Sequence, residues 1–246
     1  MSNYANLLEW LEGFDNLLKG IKAQAIIDFA WYPYETVGGF RHLAPIIPAS
    51  IDYLFDGNRD IADIGAADGS VSFFLESLGN RCDIYDFENT NYNKLKGARY
   101  IKEHTNSKVN IYNVDLDSQF SITKKYDLVF FLGILYHLKN PYYILEQLAT
   151  KTRYLCFSTR IARYPYAGGS DMSSTPVAYL LSPHECNNDA TNYWIFTESS
   201  LKRIFDRTGW KILSFRTVGD TVHSNPQDDA NREGAWAVLE SNVFHG

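Results

Sequence analysis

The sequence predicts an α/β fold, a Rossmann-like and mostly parallel sheet with helices on both faces, preceded by a helical N-terminal extension. Three observations carry this expectation. From Asp60 onward, short apolar strands alternate with helical patterns, as they do in βαβ units. A glycine turn, Ile61-Ala62-Asp63-Ile64-Gly65-Ala66-Ala67-Asp68-Gly69, joins the first of these strands to the first helix. The 246 residues are 45% hydrophobic and 21% charged, which suits one sizeable folded core and not a disordered chain.

Taken in order, residues 1–56 form the extension. Leu7, Leu11, Phe14, Leu18 and Ile21 recur at helical spacing and predict an amphipathic helix with one face on the core. Pairing two subunits into a homodimer is the alternative use of that face. Residues 31–40 mix aromatics with Pro and Gly and predict a structured loop able to cover a ligand pocket. The main domain spans 57–246, with strands expected at 60–64, 81–86, 109–113, 126–132 and 153–158. Helices are expected to about 78, from about 92, and over 142–149. Residues 161–196, rich in Tyr, Pro, Gly, Ser and Asn, predict a substrate lid, because connections this long in compact domains are usually functional. Thr197 can cap a helix to about 207. Residues 210–218 and 235–240 then read as an antiparallel pair.

Composition excludes several classes. The first twenty residues carry Glu9, Glu12 and Asp15 and lack the basic start and long apolar stretch of a secretory leader. The longest apolar run, 128–136, falls short of the roughly 20 residues that cross a bilayer. The expectation is a cytoplasmic protein without membrane insertion. Cys82, Cys156 and Cys186 are odd in number and two lie in apolar strands, so free thiols are expected. His184, Glu185, Cys186 and Asp189 show no established ligand spacing, and no metal is expected. A net charge of −6 with scattered basic residues counts against a nucleic-acid partner.

The acids of the glycine turn select its ligand. Gly65, Ala66 and Gly69 let backbone approach a ligand closely, with Asp63 and Asp68 beside it. A pyrophosphate here would meet the Asp68 carboxylate, negative against negative, and the full G-x-G-x-x-G spacing of dinucleotide sites is missing. S-adenosyl-L-methionine has no phosphate and carries an ammonium and a sulfonium, so it is the cofactor expected. Asp86, followed by Phe87, ends the second strand 23 residues after Asp63, where a carboxylate can accept from both ribose hydroxyls. Asp115 is expected at the adenine amino group, Leu116 beside the ring, and Gly133 at the cofactor side of the fourth strand.

His137 follows that fourth strand, where a doubly wound sheet opens its cleft. It is the candidate general base for a hydroxyl acceptor, with Tyr136 as its catalytic neighbour. A histidine that bonds a nearby loop and positions Tyr136 is the alternative. Arg160 suits either an anionic acceptor or an internal ion pair. Asn188, Asn192, Tyr193 and Trp194 combine amides with aromatic surface, a composition that suits hydroxyls and a ring. Turn formation is their other role.

IADIGAADG at 61–69, the strand end at Asp86 and FFLGILYHLKNP at 130–141 resemble the class I S-adenosylmethionine-dependent methyltransferases. With NNDATNYW at 187–194 and Gly209-Trp210, the chain is similar over roughly residues 60–240 to the tRNA wobble-uridine carboxymethyltransferases and their relatives. The resemblance implies a seven-stranded sheet with an antiparallel last strand and a cofactor site at the residues named above. It also places Tyr136 where that family contacts the carboxylate of a carboxylated cofactor, although the family's carboxylate-holding lysines have no counterpart in residues 20–59. The expected function is methyl transfer to a small-molecule or glycan-type acceptor at a hydroxyl. RNA modification and a non-catalytic S-adenosylmethionine-binding module are the alternatives.

Overall fold

The computed structural model describes residues 4–33, 36–118 and 120–245. Its strands are β1 (Asp60–Ile64), β2 (Arg81–Asp86), β3 (Asn110–Asn113), β4 (Tyr126–Leu132), β5 (Thr152–Ile161), β6 (Ala178–Leu180), β7 (Trp194–Phe196), β8 (Trp210–Gly219) and β9 (Glu233–Ser241). The first five pair in parallel in the order β3-β2-β1-β4-β5. β9 runs antiparallel between β5 and β8. These seven are the expected strands.

The sheet contains nine strands among the described residues because the predicted lid is not structureless. Within it, β6 and β7 form an antiparallel hairpin, and β7 joins the end of β5 at Ile161 and Phe196. β5 itself extends beyond the predicted 158, since its register against β9 continues to Ile161 opposite Glu233.

Among the described residues six α-helices flank the sheet: α1 (Tyr4–Gln24), α2 (Thr36–Leu43), α3 (Ser70–Ser77), α4 (Lys96–His104), α5 (Pro141–Ala149) and α6 (Glu198–Arg207). Strand side chains alternate between two layers, as a pleated strand requires. Ile61, Leu128, Phe130 and Cys156 pack with α1, α2 and α3, whereas Val129, Phe131, Leu155 and Phe157 pack with α5 and α6. The predicted face of α1 is buried through Leu7, Leu11 and Leu18, and Phe14 lies 5.7 Å from Phe74 between ring centres. Thr197 caps α6 by accepting from the Ser200 backbone N–H.

Two local expectations change. Residues 31–40 are not all loop. Tyr34 and Glu35 lie outside the described residues, but 36–43 is helical despite two glycines and a β-branched pair, all weak helix formers. Tertiary packing outweighs propensity here. Phe40 and Leu43 are fully buried, and a Cβ at Gly39 would stand 2.9 Å from the Trp236 ring. The helix expected from about 92 starts at Lys96, because Asn91 accepts from the backbone N–H groups of Asn93 and Leu95 and holds a turn there.

No helix among the described residues is long and apolar enough to cross a membrane.

Candidate functional site

The turn after β1 brings the first group of residues together. Gly65 has φ +71° and a Cβ there would lie 2.6 Å from Ile134, so only glycine fits. Its N–H donates to the Tyr85 carbonyl, which ties the turn to β2. Ala67 adopts a left-handed φ of 56°, a conformation few non-glycine residues take. Its N–H donates to Asp86 Oδ2 at 3.1 Å. Asp86 also accepts from the Phe87 N–H at 2.7 Å and from Asn91 Nδ2 at 3.0 Å. It therefore stands at the strand end as expected and clamps the turn. Ala66 is buried beneath it in the core.

Asp63 and Asp86 are both buried, and no basic side chain pairs with either among the described residues. Asp63 is held by the hydroxyl and backbone N–H of Ser72. Burial raises its pKa to about 7, with the Asp86 charge adding to the effect. Burial likewise raises Asp86 to about 6. Two carboxylates without a cation at a glycine turn suit a ligand that brings hydroxyl donors and positive charge. This donor set fits S-adenosylmethionine and does not fit a pyrophosphate. Gly133, at the end of β4, has φ +69° and nothing within 4 Å of a Cβ built on it, so the cleft is open at that point.

Asp68 is used differently from expectation. Its carboxylate accepts from Lys22 Nζ at 2.9 Å, Asn93 Nδ2 at 2.7 Å and the Tyr32 N–H at 3.1 Å. The positive partner of this acid is thus an internal lysine. Gly69, with φ +78°, immediately precedes α3. Asp115 turns on itself, accepting from Ser118 and the Asp117 N–H, and these bonds lower its pKa. Leu116 is buried among core residues and Phe87 is half-buried.

His137 closes the short turn Leu135–His137 after β4. Its Nδ1 lies 2.9 Å from Thr191 Oγ1 and 3.9 Å from Asp189 Oδ2. Tyr136 packs beside it at 4.2 Å between ring centres. Burial pushes the His137 pKa below its ordinary value, and Asp189 partly offsets this. The 161–196 segment clasps the same turn: the Tyr193 N–H donates to the Tyr136 carbonyl at 2.8 Å, and the Trp194 indole N–H reaches the Lys139 carbonyl at 3.4 Å.

Among the remaining acceptor candidates, Asn192 and Arg160 have internal partners. Asn192 is buried and donates to the Cys186 carbonyl, leaving its Oδ1 without a partner. Asn188 is exposed in a left-handed conformation. Arg160 is buried and donates to Cys186 Sγ and to the Asn225 and Asp228 carbonyls. Its guanidinium ties the 161–196 segment to the β8–β9 connection. His184, Glu185, Cys186 and Asp189 form no metal-holding group among the described residues. A cavity of about 890 Å³ lies elsewhere, lined by Leu7, Trp10, Phe14, Leu17, Phe55 and Leu78. Leu78 precedes the start of β2, so this groove is at the opposite end of the strands from the glycine turn.

The buried Asp63 has a measurable consequence. A carboxyl whose folded pKa exceeds its unfolded value favours the folded state at low pH, and that contribution is lost as pH rises. For Asp63 the loss should run at about 1.4 kcal/mol per pH unit between roughly pH 4 and 7. In urea unfolding of the ligand-free protein, Asp63→Asn should gain stability relative to wild type from pH 5 to pH 8. The paired comparison removes the contribution of His137, whose lowered pKa acts with the opposite sign. A constant difference across that range would refute the buried, unpaired assignment.

The family described as "Methyltransferase domain" matches residues 40–214. Among solved structures, the N-terminal domain of EvdMO1, crystallised in the presence of SAH and D-fucose, is similar with a TM-score of 0.59 and 14% identity, covering 94% of this chain and 96% of that one. The 1,6-didemethyltoxoflavin-N1-methyltransferase of Burkholderia thailandensis, with its namesake and S-adenosylhomocysteine bound, has a TM-score of 0.53 and 15% identity over 79% of this chain and 76% of that one. The [4+2]-cyclase SpnF reaches 0.61 with 12% identity, over 94% and 95%. Comparison with curated proteins gives no match. At these identities the solved structures establish the fold, and the family match over most of the chain carries the assignment. This chain belongs to the methyltransferase-domain family and is an S-adenosylmethionine-dependent methyltransferase.

Proposed function

We propose that the protein methylates a hydroxyl of a small, sugar-like or glycan-type acceptor, with His137 taking the hydroxyl proton. The observation that carries this reading is the placement of a half-buried histidine, four residues beyond Gly133, at the open end of β4. Burial lowers its pKa, so the imidazole is neutral near pH 7 and able to accept a proton. When bound, S-adenosylmethionine supplies an electrophilic methyl on a sulfonium, which an acceptor oxygen takes as its proton is lost and the sulfur becomes a neutral thioether. Asp86 and Asp63 are the residues to hold it, through ribose hydroxyls and positive charge respectively. The chain's further contribution is alignment and exclusion of water, for which the lid hairpin and the Tyr193–Trp194 clasp are suited.

Two further observations support a small acceptor. The net charge of −6 disfavours a long polyanion, and the EvdMO1 domain was crystallised in the presence of a sugar, D-fucose. The test is formation of S-adenosylhomocysteine across sugars, glycolipid intermediates, phenolics and bulk tRNA. Turnover is expected with hydroxylated small or glycan-type acceptors alone. Salt-sensitive binding of tRNA with methyl incorporation at a wobble uridine would replace this reading with RNA modification.

A further inference from the structure

We infer that Thr191 and Asp189 are positioning residues for His137, fixing its imidazole with the proton on Nδ1 and leaving Nε2 bare to receive the acceptor's proton. The functional part of this inference rests on the general-base reading above; the tautomer itself stands on hydrogen bonding alone. Thr191 Oγ1 lies 2.7 Å from Asp189 Oδ1 and 2.9 Å from His137 Nδ1. An ionised carboxylate only accepts, so the single hydroxyl proton of Thr191 is committed to Asp189. Towards the histidine, Thr191 can then only accept. Nδ1 must donate, and in a neutral imidazole the lone pair is left on Nε2.

The geometry around the trio is fixed from several sides. Asp189 Oδ1 also accepts from the Thr191 backbone N–H at 2.8 Å, so the carboxylate and hydroxyl are locked in one local turn. Its other oxygen lies 3.9 Å from His137 Nδ1, close enough to favour the imidazolium once a proton has been taken. The Tyr193 bond to the Tyr136 carbonyl holds the lid in register with the histidine turn. The groups facing His137 are Asp189 and Thr191 from the lid and Tyr136 from its own turn, while Tyr32 from the N-terminal segment feels the Asp189 charge. The site is thus assembled from two stretches more than fifty residues apart, since His137 and Thr191 are separated by 54 positions.

The experiment is nitrogen-15 NMR of the imidazoles at pH 8, with His137 identified among the six histidines by the resonance absent in His137→Ala. Wild type should show a protonated Nδ1 and a bare Nε2. Thr191→Val should abolish that preference and lower kcat by about tenfold, part of the roughly 10²–10⁴ that a positioned base contributes, with Thr191→Ser restoring both. Asp189→Asn, at a partly exposed position, should lower the His137 pKa and move the acidic limb of the kcat profile to lower pH, because a stabilising negative charge is removed. A bare Nδ1 in wild type overturns the inference, as does a Thr191→Val protein that keeps both tautomer and kcat. Full turnover by His137→Ala would instead defeat the general-base reading, while the wild-type resonances still decide the tautomer.

Discussion

His137→Ala should lower kcat by about 10² or more, within the roughly 10²–10⁴ range of a positioned general base, while leaving the dissociation constant of S-adenosylhomocysteine nearly unchanged. The separation follows from where the residues sit. The carboxylates proposed for the cofactor lie at the ends of β1 and β2, whereas the histidine follows β4 and is held by Thr191. A sugar hydroxyl is a poor nucleophile while it keeps its proton, so loss of the proton acceptor acts on the chemical step. Because burial holds the imidazole's pKa below its usual value, wild-type kcat should rise with pH through that lowered value and level off by neutrality. Steady-state kinetics with calorimetry of the product complex makes the comparison. Near-normal turnover in a variant that melts like wild type would leave His137 only the role of positioning Tyr136.

Gly97→Ala should cost about 3 kcal/mol or more of folding stability, combining overpacking with disruption of a buried charge. Helix propensity alone predicts the reverse, since replacing a helical glycine by alanine gains up to about 1 kcal/mol. The structure decides the sign. A Cβ at position 97 would lie 2.1 Å from Asp68 Oδ1 and 2.7 Å from Asn93 Nδ2. Asp68 has no room to retreat, because Lys22, Asn93 and the Tyr32 backbone all hold its carboxylate. The added methyl must therefore break at least one of these bonds to a buried carboxylate. Urea midpoints of the two proteins provide the measurement, and an alanine variant more stable than wild type would show that the Asp68 cluster is not packed as described.

The sheet was legible because its central strands β1, β2, β4 and β5 are buried on both faces and stand out as short apolar runs, and the glycine turn because its residues are contiguous. Asp68 shows the boundary of that legibility. A positive partner could be expected from its charge, but nothing local identifies Lys22, which meets it across 46 positions. α2 escaped for a related reason: its helicity depends on burying Phe40 and Leu43 and on Gly39 approaching Trp236, none of which is written in its own propensities. The guanidinium of Arg160 is likewise committed by carbonyls from the distant β8–β9 connection. Thr191 and Asp189 left a partial signal. An Asp two residues before a Thr is a recognisable turn former, yet only the fold brings that turn against His137.

The ties between the N-terminal segment and Asp68 also bear on the order in which the chain can assemble. α1 leaves the ribosome before its partners Phe74 and Asp68, and Trp31 before the Tyr100 ring that it meets. Until then its Leu7, Leu11 and Leu18 face has no core to enter, and an isolated helix of this kind is marginal in water. Closing a loop of that span spends chain entropy before any long-range contact is gained. α1 can therefore dock only once the residues that it packs against have been made, and Lys22 then meets Asp68 in the glycine turn. The glycine turn thus gains its lysine only by closing a loop of 46 positions.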